Sequence, residues 1–335
     1  MTRIAVLGAG SWGTAFSLVL ADAGNDVVLW SRRQELADAI VTKHQNVDYL
    51  PGIDLPPRVD ATADATAALC GAEIVVLAVP SQTLRENLAR WAGHLGADAV
   101  VVSLMKGVEL ATAKRMSEVV REVAGLPADR VVAVTGPNLA VEVARRQPAA
   151  AVVACVDEEV AGRIQIACHT PYFRPYTNTD VVGAELGGAV KNVIAIAVGM
   201  AHGMGLGDNA KASLITRGVA ETARLGVALG ADAYTFSGLA GLGDLVATCL
   251  SPLSRNRAFG EQLAAGATLE ELTAGTRQVA EGVKSCQAIL ELARRTGVDM
   301  PIVEQVAGAV HGGVAPRVVL TNLMSRSAKP ERDGL

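Results

Sequence analysis

The sequence predicts an α/β chain in two parts: a doubly wound, mostly parallel sheet, then an all-α domain. Three observations carry this. Short runs of continuous apolar residues alternate with helical stretches as far as about Thr179, the pattern of strands buried on both faces. Beyond that point strands stop and helical patterns follow one another. The chain has 335 residues, half of them hydrophobic, enough for about two domains with a core each.

In chain order, "RIAVLGAG" is a β-branched strand, and "WGTAFSLVLADAG" carries apolar residues at helical spacing up to Gly24. The stretches "DVVLWS", "EIVVLAVP", "AVVVSLMKG", "RVVAVTGP" and "AAAVVACV" are further short strands, with helices such as "SQTLRENLARWAGHLG" between them. The segment "NVDYLPGIDLPPRVDATAD" breaks the rhythm with Pro51, Pro56 and Pro57 and reads as a long surface connection. Helical patterns then cover 181–203, 209–229, 231–250, 254–265, 278–297 and 301–311, punctuated by Gly or Pro. The expected organisation is a first domain over 1–179, a helical domain over 180–326 and a disordered tail over 327–335.

Composition excludes several classes of function. A net charge of −4 argues against a general polyanion binder, so no nucleic-acid partner is expected. The five cysteines are scattered without a C-x-x-C pair, which fits reduced thiols. The five histidines show no metal-ligand spacing, so no metal site is expected. The chain starts directly in a strand, leaving no room for a signal peptide. No uncharged apolar run approaches the ~18 residues of a spanning helix. These features predict a cytoplasmic protein without membrane insertion.

The first site signal is "GAGSWG", which puts Gly8, Gly10 and Gly13 in a G-x-G-x-x-G between the first strand and the first helix. Such glycines allow a tight turn, close approach of backbone to a pyrophosphate, and close helix–strand packing. The helix N-terminus then offers N–H groups and a positive dipole end. The alternative is an ordinary Gly-rich βα turn, but strand, helix and spacing together favour a Rossmann-like dinucleotide site. At the end of the second strand an NAD-preferring site usually carries Asp or Glu. Ser31, Arg32 and Arg33 stand there instead. Two guanidiniums suit a ribose 2′-phosphate, whereas a merely solvated helix start would favour acids. The expected cofactor is therefore NADP, with NAD possible.

The second signal is Lys191 in the middle of the apolar helix "GAELGGAVKNVIAIAVGM". A buried ammonium is costly unless paired or lowered in pKa. Gly187 and Gly188 lie one turn before it, implying that something approaches that backbone closely. The plain alternative is a lysine snorkelling at a domain edge, which leaves the paired glycines unexplained. Lys106 follows a strand in "LMKGVE", as do Gly136 and Asn138 in "VTGPN", at the sheet edge where open α/β folds bind ligands. "GLAGLGDL" delivers Asp244 from a Gly-rich turn, and Ser254, Arg255, Asn256 and Arg257 sit at a helix start suited to an anion. Taken singly, each is as well a cap, a turn or a solvated charge.

Taken together, "GAGSWGTA", "NVDYLPG", the Lys106-Gly107 pair, "GPN-A" at 136–140, "ELGGAVKNVIAIAVGM", "LITRG", "GLAGLGDL", "SRNRAFG" and "VAEGV" closely resemble the bacterial NAD(P)-dependent glycerol-3-phosphate dehydrogenases. The matches span residues 8 to 283. The resemblance implies a Rossmann domain, a helical substrate domain and interconversion of dihydroxyacetone phosphate with sn-glycerol 3-phosphate, a precursor of phospholipids. It makes Lys191 the proton acceptor in the oxidative direction. By the same resemblance Lys106, Gly136, Asn138, Lys191, Asp244, Ser254, Arg255 and Asn256 hold the substrate. Ser11, Trp12, Arg32, Arg33, Lys106, Ala140, Arg255, Val279 and Glu281 join the three glycines around the cofactor. The chain departs from the family pattern at Asn138, where Ser or Thr is usual, and at Met105, usually a small residue. Two rival readings stay open: a Lys-dependent NADPH reductase of a 2-keto or 3-hydroxy acid, and a non-catalytic NADPH-binding module. Asp244 either bonds a substrate hydroxyl or partners a lysine. An Ala/Gly-rich helical domain suits a homodimer.

Overall fold

A computed structural model describes residues 1–274, 280–327 and 330. The chain divides into two compact units. Unit 1 comprises Met1–Met105 and Met116–Val181, and unit 2 comprises Lys106–Arg115 and Val182–Leu335. The expected disordered tail lies almost entirely outside the described residues.

Unit 1 is built on one eight-stranded sheet: β1 (Arg3–Leu7), β2 (Asp26–Trp30), β3 (Val59–Thr62), β4 (Ile74–Leu77), β5 (Val100–Ser103), β6 (Val131–Thr135), β7 (Ala149–Ala154) and β8 (Phe173–Asn178). Their order is β3-β2-β1-β4-β5-β6-β7-β8. All neighbours are parallel except β6 and β7. The connections carry α1 (Ser11–Asp22), α2 (Gln34–Lys43), α3 (Ala65–Leu69), α4 (Leu84–Trp91), α5 (Met116–Ala124), α6 (Ala140–Ala144) and α7 (Glu158–Cys168).

Alternation along the strands makes two cores, one on each face of the sheet. Ile4, Val6, Val27, Leu29, Val76 and Val102 pack with Phe16, Val19, Leu36 and Ile164. Ala5, Leu7, Val28, Val75, Leu77 and Val101 pack with Leu69, Leu88, Trp91 and Val119. Because both faces are covered, the strands read as unbroken apolar runs. The order reverses at β1 and β4, the switch point where open α/β sheets take ligands. Sequence patterning missed β3, which lies inside the proline-rich connection and pairs with β2. It also missed β8, whose "FRPYTN" buries only alternate residues at its start.

Unit 2 holds α8 (Val181–Gly203), α9 (Asp208–Ala228), α10 (Asp244–Leu250), α11 (Arg255–Ala264), α12 (Leu269–Thr273), α13 (Glu281–Thr296), α14 (Pro301–His311) and α15 (Pro316–Met324). The core helix is α8, from which Leu186, Val190, Val193, Ile194, Ile196 and Val198 are buried. A helix apolar all round belongs inside a domain. It is long and apolar enough to cross a membrane, yet 94% of that window is buried within the protein.

The expected single helix over 231–250 is instead a 3-10 turn at Ala233–Ser237, a π turn at Leu239–Gly243 and then α10. Three glycines in "SGLAGLG" weaken regular helix there. The short α12, closed by a Thr268/Glu271 capping box, and α15 were not marked by apolar periodicity. Residues Lys106–Arg115 follow β5 in the chain but group with the helices of unit 2: Val108 and Ala113 belong to the helical core.

One buried carboxylate makes this unit sensitive to pH. Glu221 on α9 is 2% exposed and accepts the Ile302 N–H at 2.9 and 3.1 Å, closing the start of α14. Burial pushes its pKa up from 4.5 to about 7, although the Ile302 and Val303 N–H groups oppose the shift. A carboxyl raised in the folded state contributes most below its unfolded pKa, and that contribution is lost as pH rises through the folded value. Between about pH 4.5 and 7 the native chain therefore loses stability relative to Glu221→Gln, by on the order of 3 kcal/mol. Denaturant titrations of both proteins at pH 5 and pH 8 test this; a difference that stays constant across that range contradicts it.

Candidate functional site

In unit 1 the turn after β1 is shaped by what its glycines touch. A Cβ on Gly8, whose φ is +133°, would stand 2.5 Å from the Ala78 carbonyl oxygen, and one on Gly13 would stand 2.0 Å from that of Gly8. Both positions bring backbone against backbone, so only glycine fits. Gly10 differs: nothing lies within 4 Å of its Cβ position. It caps α1 without a side-chain hydrogen bond, so the helix start opens into space with its first N–H groups oriented outward. That is a cradle for an anion. Trp12 beside it has a buried indole N–H without a hydrogen-bond partner, and it packs against the cluster of Ala15, Leu50 and Ala144, as does Ala140. An open cradle and an orphaned donor at one helix start fit the pyrophosphate half of a dinucleotide.

The segment over 46–52 is tied to this turn. Asn46, fully buried, donates to the Ala9 carbonyl at 2.9 Å and to the Thr14 hydroxyl at 2.8 Å, and accepts the Tyr49 N–H at 3.1 Å. Ser11 donates to the Tyr49 carbonyl at 2.8 Å. At the end of β2, Ser31 accepts the Arg33 N–H at 3.2 Å. The Arg33 guanidinium bonds the Asp48 carboxylate and stands 5.9 Å from the centre of the Tyr49 ring. Arg32 is exposed and borders a cavity of about 330 Å³ with Trp30, Asp64, Asn87, Arg90 and His94, room for an adenosine moiety. Farther along the sheet edge, Gly136 (φ +124°) follows β6. Asn138 donates to the Ala150 carbonyl at 2.9 Å while its own carbonyl oxygen is buried without a hydrogen-bond partner.

Unit 2 contains the ionic centre. Lys191 is 8% exposed and Asp244 1%. The Lys191 ammonium donates to one Asp244 carboxylate oxygen at 2.5 Å and to the Thr248 hydroxyl at 2.7 Å. Lys106 donates to the other Asp244 oxygen at 2.6 Å. Asp244 thus partners both lysines, one of the two roles the sequence left open for it. The π turn brings it there: a Cβ on Gly187 would stand 2.3 Å from the Ala240 carbonyl oxygen. The close approach that this helical glycine permits is therefore to the backbone leading into Asp244.

Lys106 arrives on a strap held to the helices. Arg115 pairs with Glu185 of α8 at 2.8 Å, and Arg295 of α13 donates to the Thr112 carbonyl at 3.0 Å. Burial lowers the Lys191 pKa to about 8, with Lys106 lowering it further and Asp244 opposing the shift. An ammonium poised there can give up and recover a proton near neutral pH.

Asn192, next to Lys191, donates to the Lys106 carbonyl at 3.2 Å. It accepts from Asn256 at 2.9 Å, and Asn256 in turn accepts the Gly282 N–H at 2.9 Å. The polar atoms of Asn256 are thus engaged in joining three segments. Ser254 caps α11 by accepting the Arg257 N–H at 3.3 Å, which places Arg255 at the first position of that helix. Arg255 is exposed by surface area; crowding by its neighbours nonetheless lowers its pKa, opposed by the Glu281 carboxylate. Val279, expected at the cofactor, lies outside the described residues.

Thr248, Asn192 and Asn46 escaped the sequence reading. Thr248 was detectable, because it stands four residues after Asp244 on the same helix face. Asn46 and Asn192 carried no comparable signal, since each acts on backbone distant in sequence.

Comparison with known proteins agrees with both units. The sequence model described as the NAD-dependent glycerol-3-phosphate dehydrogenase N-terminus matches residues 3–161, and the C-terminus model matches residues 180–321. The glycerol-3-phosphate dehydrogenase [NAD(P)+] of Streptomyces griseus is 68% identical over 98% of both chains. That of Thermobifida fusca is 64% identical over the full length of both. The crystal structure of glycerol-3-phosphate dehydrogenase from Coxiella burnetii superposes with a TM-score of 0.91 at 37% identity, covering 96% of this chain and 98% of that one. With its glycine turn, its buried lysine and its whole length matched, the chain belongs to the NAD-dependent glycerol-3-phosphate dehydrogenase family.

Proposed function

We infer that the chain interconverts dihydroxyacetone phosphate and sn-glycerol 3-phosphate with NAD(P), and that Lys191 is its acid–base group. The observation that carries the reading is the buried Lys191, lowered in pKa and held by Asp244 and Thr248. When bound, the cofactor supplies or takes up the hydride. Everything else falls to the chain. In reduction the ketone oxygen gains negative charge as its carbon is attacked, and the Lys191 ammonium stabilises that charge and delivers the proton. In oxidation the neutral amine takes the hydroxyl proton. Asp244 holds Lys191 and Lys106 together against their repulsion, and Thr248 restricts the direction in which the Lys191 protons point.

The supporting features divide by unit. In unit 1, Gly8, Gly10, Ser11, Trp12, Gly13 and Ala140 surround the pyrophosphate, and Arg32 and Arg33 face the ribose 2′ position, which favours NADPH over NADH. Gly136 and Asn138 border the substrate. In unit 2, Lys106 touches cofactor and substrate, while Ser254 and Arg255 at the α11 N-terminus take the phosphate, with Glu281 beside Arg255. Asn256 shapes that cradle by holding Asn192 and Gly282. The enzyme works in the cytoplasm as a homodimer. An α11 start that combines a guanidinium with helix N–H groups suits an anionic substrate group, and the relatives' activity on glycerol 3-phosphate favours a phosphate over a carboxylate there.

Following NADPH absorbance with and without dihydroxyacetone phosphate tests the activity, and Lys191→Met tests the role of the lysine. The variant should bind NADPH as the native enzyme does while kcat falls by about 10²–10⁴. Near-native kcat in a folded variant would refute the assignment. In the native enzyme the ammonium is present below its folded pKa, so kcat for reduction should decline as pH rises through about 8. The oxidative rate should rise over the same interval. A reductive profile flat from pH 7 to 9 would contradict this.

Arg255→Ala should raise KM for dihydroxyacetone phosphate by roughly ten- to hundredfold, the loss of one charge-assisted bond. Unphosphorylated dihydroxyacetone should be a very poor substrate. Equal turnover of the two ketones would exclude a phosphate grip.

A further inference from the structure

We propose that Asp48 limits the preference for NADPH by sequestering Arg33, leaving Arg32 as the cation available to a ribose 2′-phosphate. The inference rests on the reading that the end of β2 faces the ribose 2′ position, and it deepens that reading.

Both arginines stand at that edge, but they differ in what surrounds them. The Arg33 guanidinium is bonded to the Asp48 carboxylate and lies over the Tyr49 ring, and its backbone N–H is held by Ser31. Among the described residues Arg32 enters no ion pair, and it borders the cavity beside Trp30. Asp48 is itself well anchored. It sits between Val47 and Tyr49 in a segment fixed by Asn46 to the Ala9 carbonyl and the Thr14 hydroxyl, and by Ser11 to the Tyr49 carbonyl.

The segment that lies against the glycine turn thus delivers an acid to the cofactor's ribose edge. NAD-preferring sites place such an acid at the end of β2 itself; here it comes from another part of the chain and acts on an arginine. A 2′-phosphate brings nearly two negative charges and must either displace Asp48 from Arg33 or bind beside a carboxylate. NAD, with an uncharged 2′-hydroxyl, meets neither obstacle. The side chains of Arg33 and Asp48 are 37% and 30% exposed, so the pair is weak enough for a phosphate to open and the restraint is modest.

The test compares kcat/KM for NADPH and for NADH in four proteins: native, Asp48→Asn, Asp48→Glu and Arg32→Gln. Asp48→Asn should raise the NADPH to NADH ratio by about two- to fivefold, mostly through KM for NADPH, the range of one weak exposed pair. Asp48→Glu keeps the charge and should stay near the native ratio. Arg32→Gln should lower it. An unchanged or reduced ratio in Asp48→Asn, with the expected fall in Arg32→Gln, overturns the proposal while leaving the cofactor site in place. A ratio unchanged in both variants overturns the reading of the β2 edge as well.

Discussion

Within unit 2, polar chemistry is organised by the carboxylate of Asp244. Two ammoniums cannot share an apolar interior unless a counter-charge lies between them, and each Asp244 oxygen faces one lysine. Breaking a buried pair by removing one partner typically costs about 3–5 kcal/mol; here a single deletion would strip both lysines at once. Much of the local backbone serves this carboxylate. The π turn exists to deliver it, the missing side chain at Gly187 lets that turn approach α8, and the strap that carries Lys106 is held by Arg115 and Arg295. Lys191 is thereby kept in a balance where burial lowers its pKa and Asp244 limits how far.

Unit 1 is governed by a different restriction, one of distance. Gly8 and Gly13 permit backbone contacts that any side chain would block, so the first helix starts hard against the first strand. Its N–H groups then stand at the switch point of the sheet. Asn46 fastens a loop across that turn from inside, with its amide fully bonded. The cradle is therefore braced by the chain's own contacts, and such preorganisation reduces the ordering cost of binding.

The parts legible in the sequence are those governed by local rules. β1 and the turn after it, the apolar strands and α8 follow from periodicity and glycine spacing, and Lys191 was conspicuous because a charge interrupted an apolar helix. β3 was hidden because proline-rich sequence argues for a loop, although pairing with β2 alone makes its four residues a strand. The 231–250 region was read as one helix because its apolar residues suit one, but the glycines allow the chain to tighten and then widen before α10. Arg33 shows the limit most plainly. Its position was readable, but its bond to Asp48 depends on a loop fifteen residues away and no pattern in the sequence encodes that meeting.

The strap over Lys106–Arg115 also bears on how the chain must be made. It leaves unit 1 after β5, contributes to the core of unit 2, and returns at Met116. No single cut near residue 181 separates the units, because the helical half would lack both Lys106 and the buried Val108. Lys106 precedes its partner Asp244 by 138 residues. On a ribosome adding about 5–20 residues per second, Lys106 waits on the order of ten seconds for that carboxylate. Val108 and Ala113 have no helical core to join until α8 has followed them. The ionic centre is consequently a late product of synthesis, completed only after α10 has emerged.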